Sequence, residues 1–140
     1  FYTNYASDKS QQLRSNAAAA AVFAWLDLHR QVRIRGVVER VSDAESDEYF
    51  SSRPRESQIG AWASPQSQVI PNRAFLEQRV SRFSEQFINE SVPRPPTWGG
   101  WRLIPAQIEF WQGRPSRLHD RFRYTHVEAT QSWLIERLAP

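Results

Sequence analysis

Three short stretches of this chain concentrate side chains that bind anions. The first is Tyr49-Phe50-Ser51-Ser52-Arg53-Pro54-Arg55-Glu56-Ser57-Gln58. Tyr49 lies four residues before Arg53, so on a helix the two face the same way. Arg53 stands just ahead of a helix expected to open at Pro54, and Ser57 falls in that helix's first turns. An arginine, a hydroxyl and free backbone N–H groups at a helix start form a sensible phosphate site. The same residues also describe a surface turn with ordinary capping, and pattern alone favours that plainer reading. The second stretch is Gly113-Arg114-Pro115-Ser116-Arg117-Leu118-His119-Asp120-Arg121. Arg117, His119 and Arg121 alternate, so on a strand all three point to one side. Burying two guanidiniums and an imidazole there requires an anionic or aromatic partner, while a solvated edge strand accounts for them equally well. The third is Gln66-Ser67, whose amide and hydroxyl suit a heterocycle or a phosphate but say little alone.

Other chemistries lack their residues. The chain has no cysteine, which excludes disulfides and thiolate metal sites. His29, His119 and His126 have no metal-ligand spacing, and no carboxylate cluster completes a site. The five glycines are scattered, with Gly99-Gly100 following Trp98 rather than a strand, so no phosphate-cradling loop is present. No serine sits in a nucleophile elbow.

The elements that must hold these stretches are readable in outline. Phe1–Tyr5 reads as the end of a strand, and Ser7 caps a short helix, Asp8–Ser15. Ala17–Trp25 is ambiguous: five alanines favour helix, while Val22-Phe23-Ala24-Trp25 favours a strand. Gln31–Val41 is a strand with Val32, Ile34, Gly36 and Val38 on one face, and Gly36 marks a bulge or a close backbone approach. Ser42-Asp43-Ala44-Glu45 matches a capping box and starts a helix to about Ser52. Pro54 opens a second helix to Ala63. Ser64–Pro71 is a loop, and Asn72 caps a long helix to about Asn89, with Phe75, Leu76, Val80, Phe83 and Phe87 as its apolar stripe. After the proline-rich loop Val92–Pro96 come four short strands: Trp101–Ile104, Ile108–Trp111, Arg121–Tyr124 and Trp133–Leu138. Turns are expected at Pro105, at Gly113-Arg114-Pro115 and in Thr125–Gln131. Strands, helices, then strands again argue for a mainly β, α+β domain: an antiparallel barrel-like sheet with helices packed outside.

Composition agrees with one domain. The chain has 140 residues, 40% hydrophobic and 13% aromatic, with six Trp and eight Phe, which excludes disorder. No apolar run is long enough for a membrane span and no signal peptide is visible, so no membrane partner and a cytoplasmic location are expected. The formal net charge is +3, carried almost wholly by arginine, with Lys9 the single lysine. That permits a nucleic-acid partner without arguing for one. The chain contains no methionine, even at position 1, and opens directly on a strand; missing upstream sequence is therefore expected.

Six segments carry a family likeness: SRPRESQIGAW (Ser52–Trp62), QSQVIP (Gln66–Pro71), WGGWRL (Trp98–Leu103), IEFWQG (Ile108–Gly113), RLHDRF (Arg117–Phe122) and WLIERLAP (Trp133–Pro140). In this order and spacing they resemble the pyridoxamine 5′-phosphate oxidase family over the full chain, residues 1–140. The resemblance implies a split β-barrel that binds flavin mononucleotide (FMN) at the interface of a homodimer. It implies oxidation of pyridoxamine or pyridoxine 5′-phosphate to pyridoxal 5′-phosphate, with O₂ as reoxidant and hydrogen peroxide as product. By the same likeness, Tyr2, Thr3, Lys9, Gln31, Gln66, Ser67, Trp111 and Arg121 are cofactor contacts. Tyr49, Arg53 and Ser57 hold the substrate phosphate, while Arg117, Leu118 and His119 hold the substrate ring, with Arg117 and His119 as the catalytic pair. No metal is implied.

Two departures stand out. The family reads Ser-Arg-Lys where this chain has Ser7-Asp8-Lys9, so Asp8 brings a negative charge beside a phosphate site and weaker FMN binding is expected. The family's upstream strand pair, with its Arg…Leu-Leu-Lys-type segment, has no counterpart here, so the barrel is expected to lack its N-terminal strands. Two other readings compete. A non-catalytic or differently specific flavin-binding split barrel would keep Gln31, Gln66, Ser67 and Trp111 but lose the substrate clamp. A basic nucleic-acid-binding barrel needs exposed aromatics interleaved with arginine, whereas the aromatics here follow core-like periodicity.

Overall fold

Side-chain caps set the helices of the computed structural model, which describes residues 1–140. Ser7 accepts from the Ser10 N–H at the start of α1 (Asp8–Ser15), and Ser42 accepts from Glu45 N–H at the start of α2 (Asp43–Ser51). Asn72 does the same for Phe75 at α4 (Arg73–Gln86). Each contact satisfies an N–H that the helix leaves without a partner. Helix α3 (Arg55–Ala63) follows Pro54 and has no side-chain cap. It starts one residue later than expected, and α4 ends three residues earlier.

Six strands complete the fold: β1 (Tyr2–Asn4), β2 (Ala18–Trp25), β3 (Arg30–Arg40), β4 (Trp98–Gln112), β5 (Asp120–Val127) and β6 (Ser132–Arg137). Their order is β2-β3-β4-β5-β6, with β1 pairing separately with β4. The β1–β4, β2–β3, β4–β5 and β5–β6 pairs are antiparallel. The α+β class expected from the sequence is the one observed. The alanine run resolves as strand: Ala18–Trp25 pairs in register with Arg30–Val37, and pairing outweighs alanine's preference for helix.

Two of the expected turns fall wholly or partly within strands, and residues 125–127 of the second continue β5. Pro105 is not a turn, and Trp101–Ile104 and Ile108–Trp111 are parts of a single strand, β4. Proline's fixed φ fits extended backbone, and its cost to a ladder is one missing N–H. Beside it, a Cβ on Gly36 would overlap the Ile104 carbonyl oxygen. Gly36 therefore marks the close backbone approach that its place in the strand pattern implied.

The chain forms two compact units. One comprises residues 1–16 and 40–102, the other residues 17–39 and 103–140. The first holds the four helices. Its core is Phe50, Ile59, Phe87, Val92 and Trp98, with Tyr2, Trp62 and Phe83 packed against it. Arg94, nearly buried, ties this unit together by donating to Asp43, Asp47 and the Trp98 carbonyl. The hydrogen bonds to Asp47 and then Asp43 raise its pKa against the opposing cost of burial. The second unit is built on strands and leaves many apolar side chains in solvent, among them Phe23, Trp25, Phe110, Leu134 and Ile135. No helix is long and apolar enough to cross a membrane.

Candidate functional site

A cleft of about 440 Å³ in the first unit gathers six of the residues singled out from sequence: Tyr2, Thr3, Tyr49, Arg53, Ser57 and Gln66. Asn4, Gly60, Ala61, Ser64 and Trp98 complete its lining, so no acidic side chain faces it. Tyr49 comes from α2, Arg53 from the link to α3, and Ser57 from the first turn of α3. Gln66 joins the loop to β1: its Oε1 accepts from the Thr3 hydroxyl at 3.1 Å and the Asn4 N–H at 3.0 Å. Tyr2, Tyr49 and Trp98 lie nearly parallel, with the two tyrosine rings 3.9 Å apart. Burial, followed by the nearby Glu45 carboxylate, pushes the Tyr2 phenol above its usual pKa, so it stays a neutral hydroxyl.

Arg53 is the unusual member. Its guanidinium lies 4.8 Å from the Trp98 ring centre and 5.7 Å from that of Phe50. Its Nη1 is buried without any hydrogen-bond partner. Cation–π contact offsets part of that cost, on the order of 0.5–2 kcal/mol. It does not replace a counter-ion, and most buried polar groups have a partner. The cleft therefore presents a positive charge unopposed by any lining acid, which suits an anionic group.

The other candidates lie elsewhere. Gln31 and Trp111 line an apolar cleft of about 500 Å³ in the second unit, with Trp25, Leu28, Val32, Phe110 and Phe122 among its walls. Apolar walls with a few polar groups suit a planar heterocycle. Lys9 is exposed on α1, its Nζ 5.4 Å from the Phe1 ring centre. Ser67 is exposed in a left-handed turn, with φ 68°. Neither lines the cleft that holds Arg53.

The alternation argument for Arg117, His119 and Arg121 does not survive. Only Arg121 is on a strand; Pro115–Arg117 is a short 3-10 turn, and Leu118 and His119 precede β5. Ser116 and Arg117 both adopt left-handed backbone, φ 57° and 61°, which breaks a period of two before the strand begins. Non-glycine residues there carry strain of about 1–3 kcal/mol each, a feature that clusters at functional turns. Arg117 and Leu118 are exposed, while His119 packs its ring 4.7 Å from Trp111 and accepts the Arg114 N–H at Nδ1. Asp120, held below the usual carboxylate range by hydrogen bonds from Arg114 and then Arg137, secures this turn.

Two residues of consequence were not singled out from sequence. Trp98 supports Arg53, and its only signal was its place in the WGGW string. Glu109 is buried and accepts from both Arg33 and Arg121; its signal was a carboxylate inside the apolar run Ile108–Trp111.

Residues 1–87 match the family model described as pyridoxamine 5′-phosphate oxidase, and residues 98–140 match the pyridoxine 5′-phosphate oxidase C-terminal dimerisation region. The chain is 56% identical over 140 residues to a pyridoxine/pyridoxamine 5′-phosphate oxidase of Synechocystis, and 59% identical to one of Polynucleobacter asymbioticus. All of this chain is covered, but it spans only 64% and 65% of those relatives' lengths. Among solved structures, PhzG of Burkholderia lata, in complex with tetrahydrophenazine-1-carboxylic acid, superposes with a TM-score of 0.91 at 28% identity, covering all of this chain and 67% of PhzG. A pyridoxamine 5′-phosphate oxidase-related, FMN-binding protein of Nostoc punctiforme has a TM-score of 0.77 at 17% identity, covering 100% of this chain and 72% of its own, and so shares the fold. With more than half of its residues matched by the family model, the chain belongs to the pyridoxamine 5′-phosphate oxidase family.

Proposed function

We propose that this chain is the cofactor- and substrate-holding domain of an FMN-dependent oxidase. It converts pyridoxamine or pyridoxine 5′-phosphate to pyridoxal 5′-phosphate and works as a homodimer. The observation that carries this reading is Arg53: a guanidinium whose Nη1 is buried without a hydrogen-bond partner, in a cleft lined by tyrosine and serine side chains and no acid. A phosphate monoester meets that need with charge-assisted hydrogen bonds.

The apolar cleft with Gln31 and Trp111 fits a flavin ring, and Tyr2, Thr3, Lys9, Gln66, Ser67 and Arg121 are the further cofactor contacts of this proposal. Bound FMN supplies the two-electron acceptor, which O₂ reoxidises with release of hydrogen peroxide. The chain's own residues supply position. Tyr49, Arg53 and Ser57 grip the phosphate, remote from the reacting carbon, and fix the substrate's orientation. Arg117, Leu118 and His119 lie against the pyridine ring. No side chain acts as a strong base, because the substrate carbon gives up a hydride; with the amine substrate, ammonia is then released by hydrolysis.

A second reading draws on the Burkholderia structure, since a guanidinium also receives a carboxylate. One experiment separates them: anaerobic flavin reduction by pyridoxamine 5′-phosphate, by unphosphorylated pyridoxamine and by an aromatic carboxylic acid. The proposal expects the phosphorylated amine to be strongly preferred. Arg53→Ala should erase about 10- to 100-fold of that preference while FMN stays bound. Equal reduction by the phosphorylated and unphosphorylated amines in the unaltered chain would overturn it.

A further inference from the structure

Glu109 is a carboxylate in the middle of β4 with only 7% of its surface exposed. Its Oε1 accepts from Arg121 Nε at 2.8 Å and its Oε2 from Arg33 Nη2 at 2.5 Å. The β4–β5 register explains the reach to Arg121: Glu109 lies opposite Arg123, and Arg121 lies opposite Trp111, two residues along. A diagonal neighbour on the same face is within range of a long side chain. Arg121 is held at a second point, where its Nη1 donates to the Ala139 carbonyl at 2.9 Å. Two of its three guanidinium nitrogens are therefore fixed inside the chain, and Nη2 is left to donate in a direction set by the other two. Arg121 and Glu109 both border a small cleft of about 210 Å³, with Arg33, Arg35, Gln107 and Arg123.

A free arginine side chain samples many rotamers and must be ordered when it meets a ligand. Here the ordering is already done by the strand. We propose that Glu109 is a positioning residue that locks Arg121 into the orientation in which Nη2 meets the cofactor. Arg33 serves as the second countercharge, keeping the buried carboxylate paired. This inference rests on the reading of Arg121 as an FMN contact. It adds a residue that acts on cofactor binding through Arg121.

The test is FMN titration of the full chain, followed by quenching of flavin fluorescence, in a double-mutant cycle of Glu109→Gln and Arg121→Ala. Glu109→Gln should weaken FMN binding roughly tenfold or more, and Arg121→Ala should weaken it at least as much. The double variant should bind no worse than Arg121→Ala alone, because the positioning acts only through that arginine. A merely structural role gives additive losses instead, which would overturn the inference. So would an unchanged affinity in Glu109→Gln beside a weakened one in Arg121→Ala. If Arg121→Ala binds FMN normally, the reading of Arg121 as a cofactor contact fails and the inference falls with it. Glu109→Asp, which keeps the buried charge but draws it back by one methylene, guards against a misfolded Gln variant. It should keep the unaltered chain's helix and strand content by circular dichroism and show a partial loss of FMN affinity that also vanishes without Arg121.

Discussion

At the scale of single residues, the chain uses unopposed charge at one place and over-determined charge at another. Arg53 has aromatic faces for neighbours and no acid. Glu109 has two arginines and almost no water. The hydrogen bond from Arg121, and that from Arg33, hold the Glu109 carboxyl below the usual carboxylate range against the opposing cost of burial. A lowered folded-state pKa means that the folded chain binds fewer protons than the unfolded one between the two pKa values. Its contribution to stability is therefore complete above the unfolded value of about 4.3 and is lost as pH falls through the lower folded value. Thermal melts between pH 6 and pH 3 should show a steep acid limb, and Glu109→Gln should make that limb shallower while lowering the plateau above pH 5. Asp120 titrates in the same direction and should leave a residual slope in the variant. An acid limb unchanged by Glu109→Gln would show that this ion pair does not govern acid stability.

At the scale of elements, what was legible in the sequence was local. Ser7, Ser42 and Asn72 cap the helices they were expected to cap, because a cap is decided within three residues. Tyr49, Arg53 and Ser57 reach one cleft because only the short link of residues 52–54 separates α2 from α3, so their meeting is equally local. What failed depended on distant partners or on special backbone. Pro105 reads as a turn until β4 is paired, and Arg117 and His119 read as a strand until Ser116 and Arg117 turn left-handed. Trp98 and Glu109 acquire their meaning only from residues brought to them by pairing and packing. Gly36 was legible as a close approach but not as to what it approaches. That contact makes a paired test. Gly36→Ala drives a Cβ into the Ile104 carbonyl and should destabilise the chain by about 2–3 kcal/mol. Gly60→Ala, in the interior of α3 with nothing within 4 Å, should stabilise it by about 0.5–1 kcal/mol. Urea denaturation midpoints report both; shifts of the same sign would contradict the contact geometry.

At the scale of the whole molecule, the strand-built second unit does not bury its own apolar surface. On β6, Trp133, Leu134 and Ile135 are all exposed, Ile135 by 55%, and on β2 the rings of Phe23 and Trp25 stack on one another in solvent. Exposed apolar clusters of this size mark interaction surfaces, and β6 lies within the segment that matches a dimerisation region. We propose that a second copy covers this surface in the homodimer. Burying a side chain such as Ile135 then contributes about 1.5–3 kcal/mol, and in a two-fold interface every substitution occurs twice. Ile135→Glu replaces that gain with two carboxylates that must be stripped of water without a partner. The variant should sediment as a monomer at concentrations where the unaltered chain is a dimer, with helix content and the Phe50–Trp98 core intact. If the cofactor site is shared between copies, as the family resemblance implies, FMN affinity should fall with it and should recover as protein concentration is raised. A monomeric Ile135→Glu chain that binds FMN as tightly as the dimer would separate assembly from cofactor binding. A variant that remains dimeric would move the interface off β6.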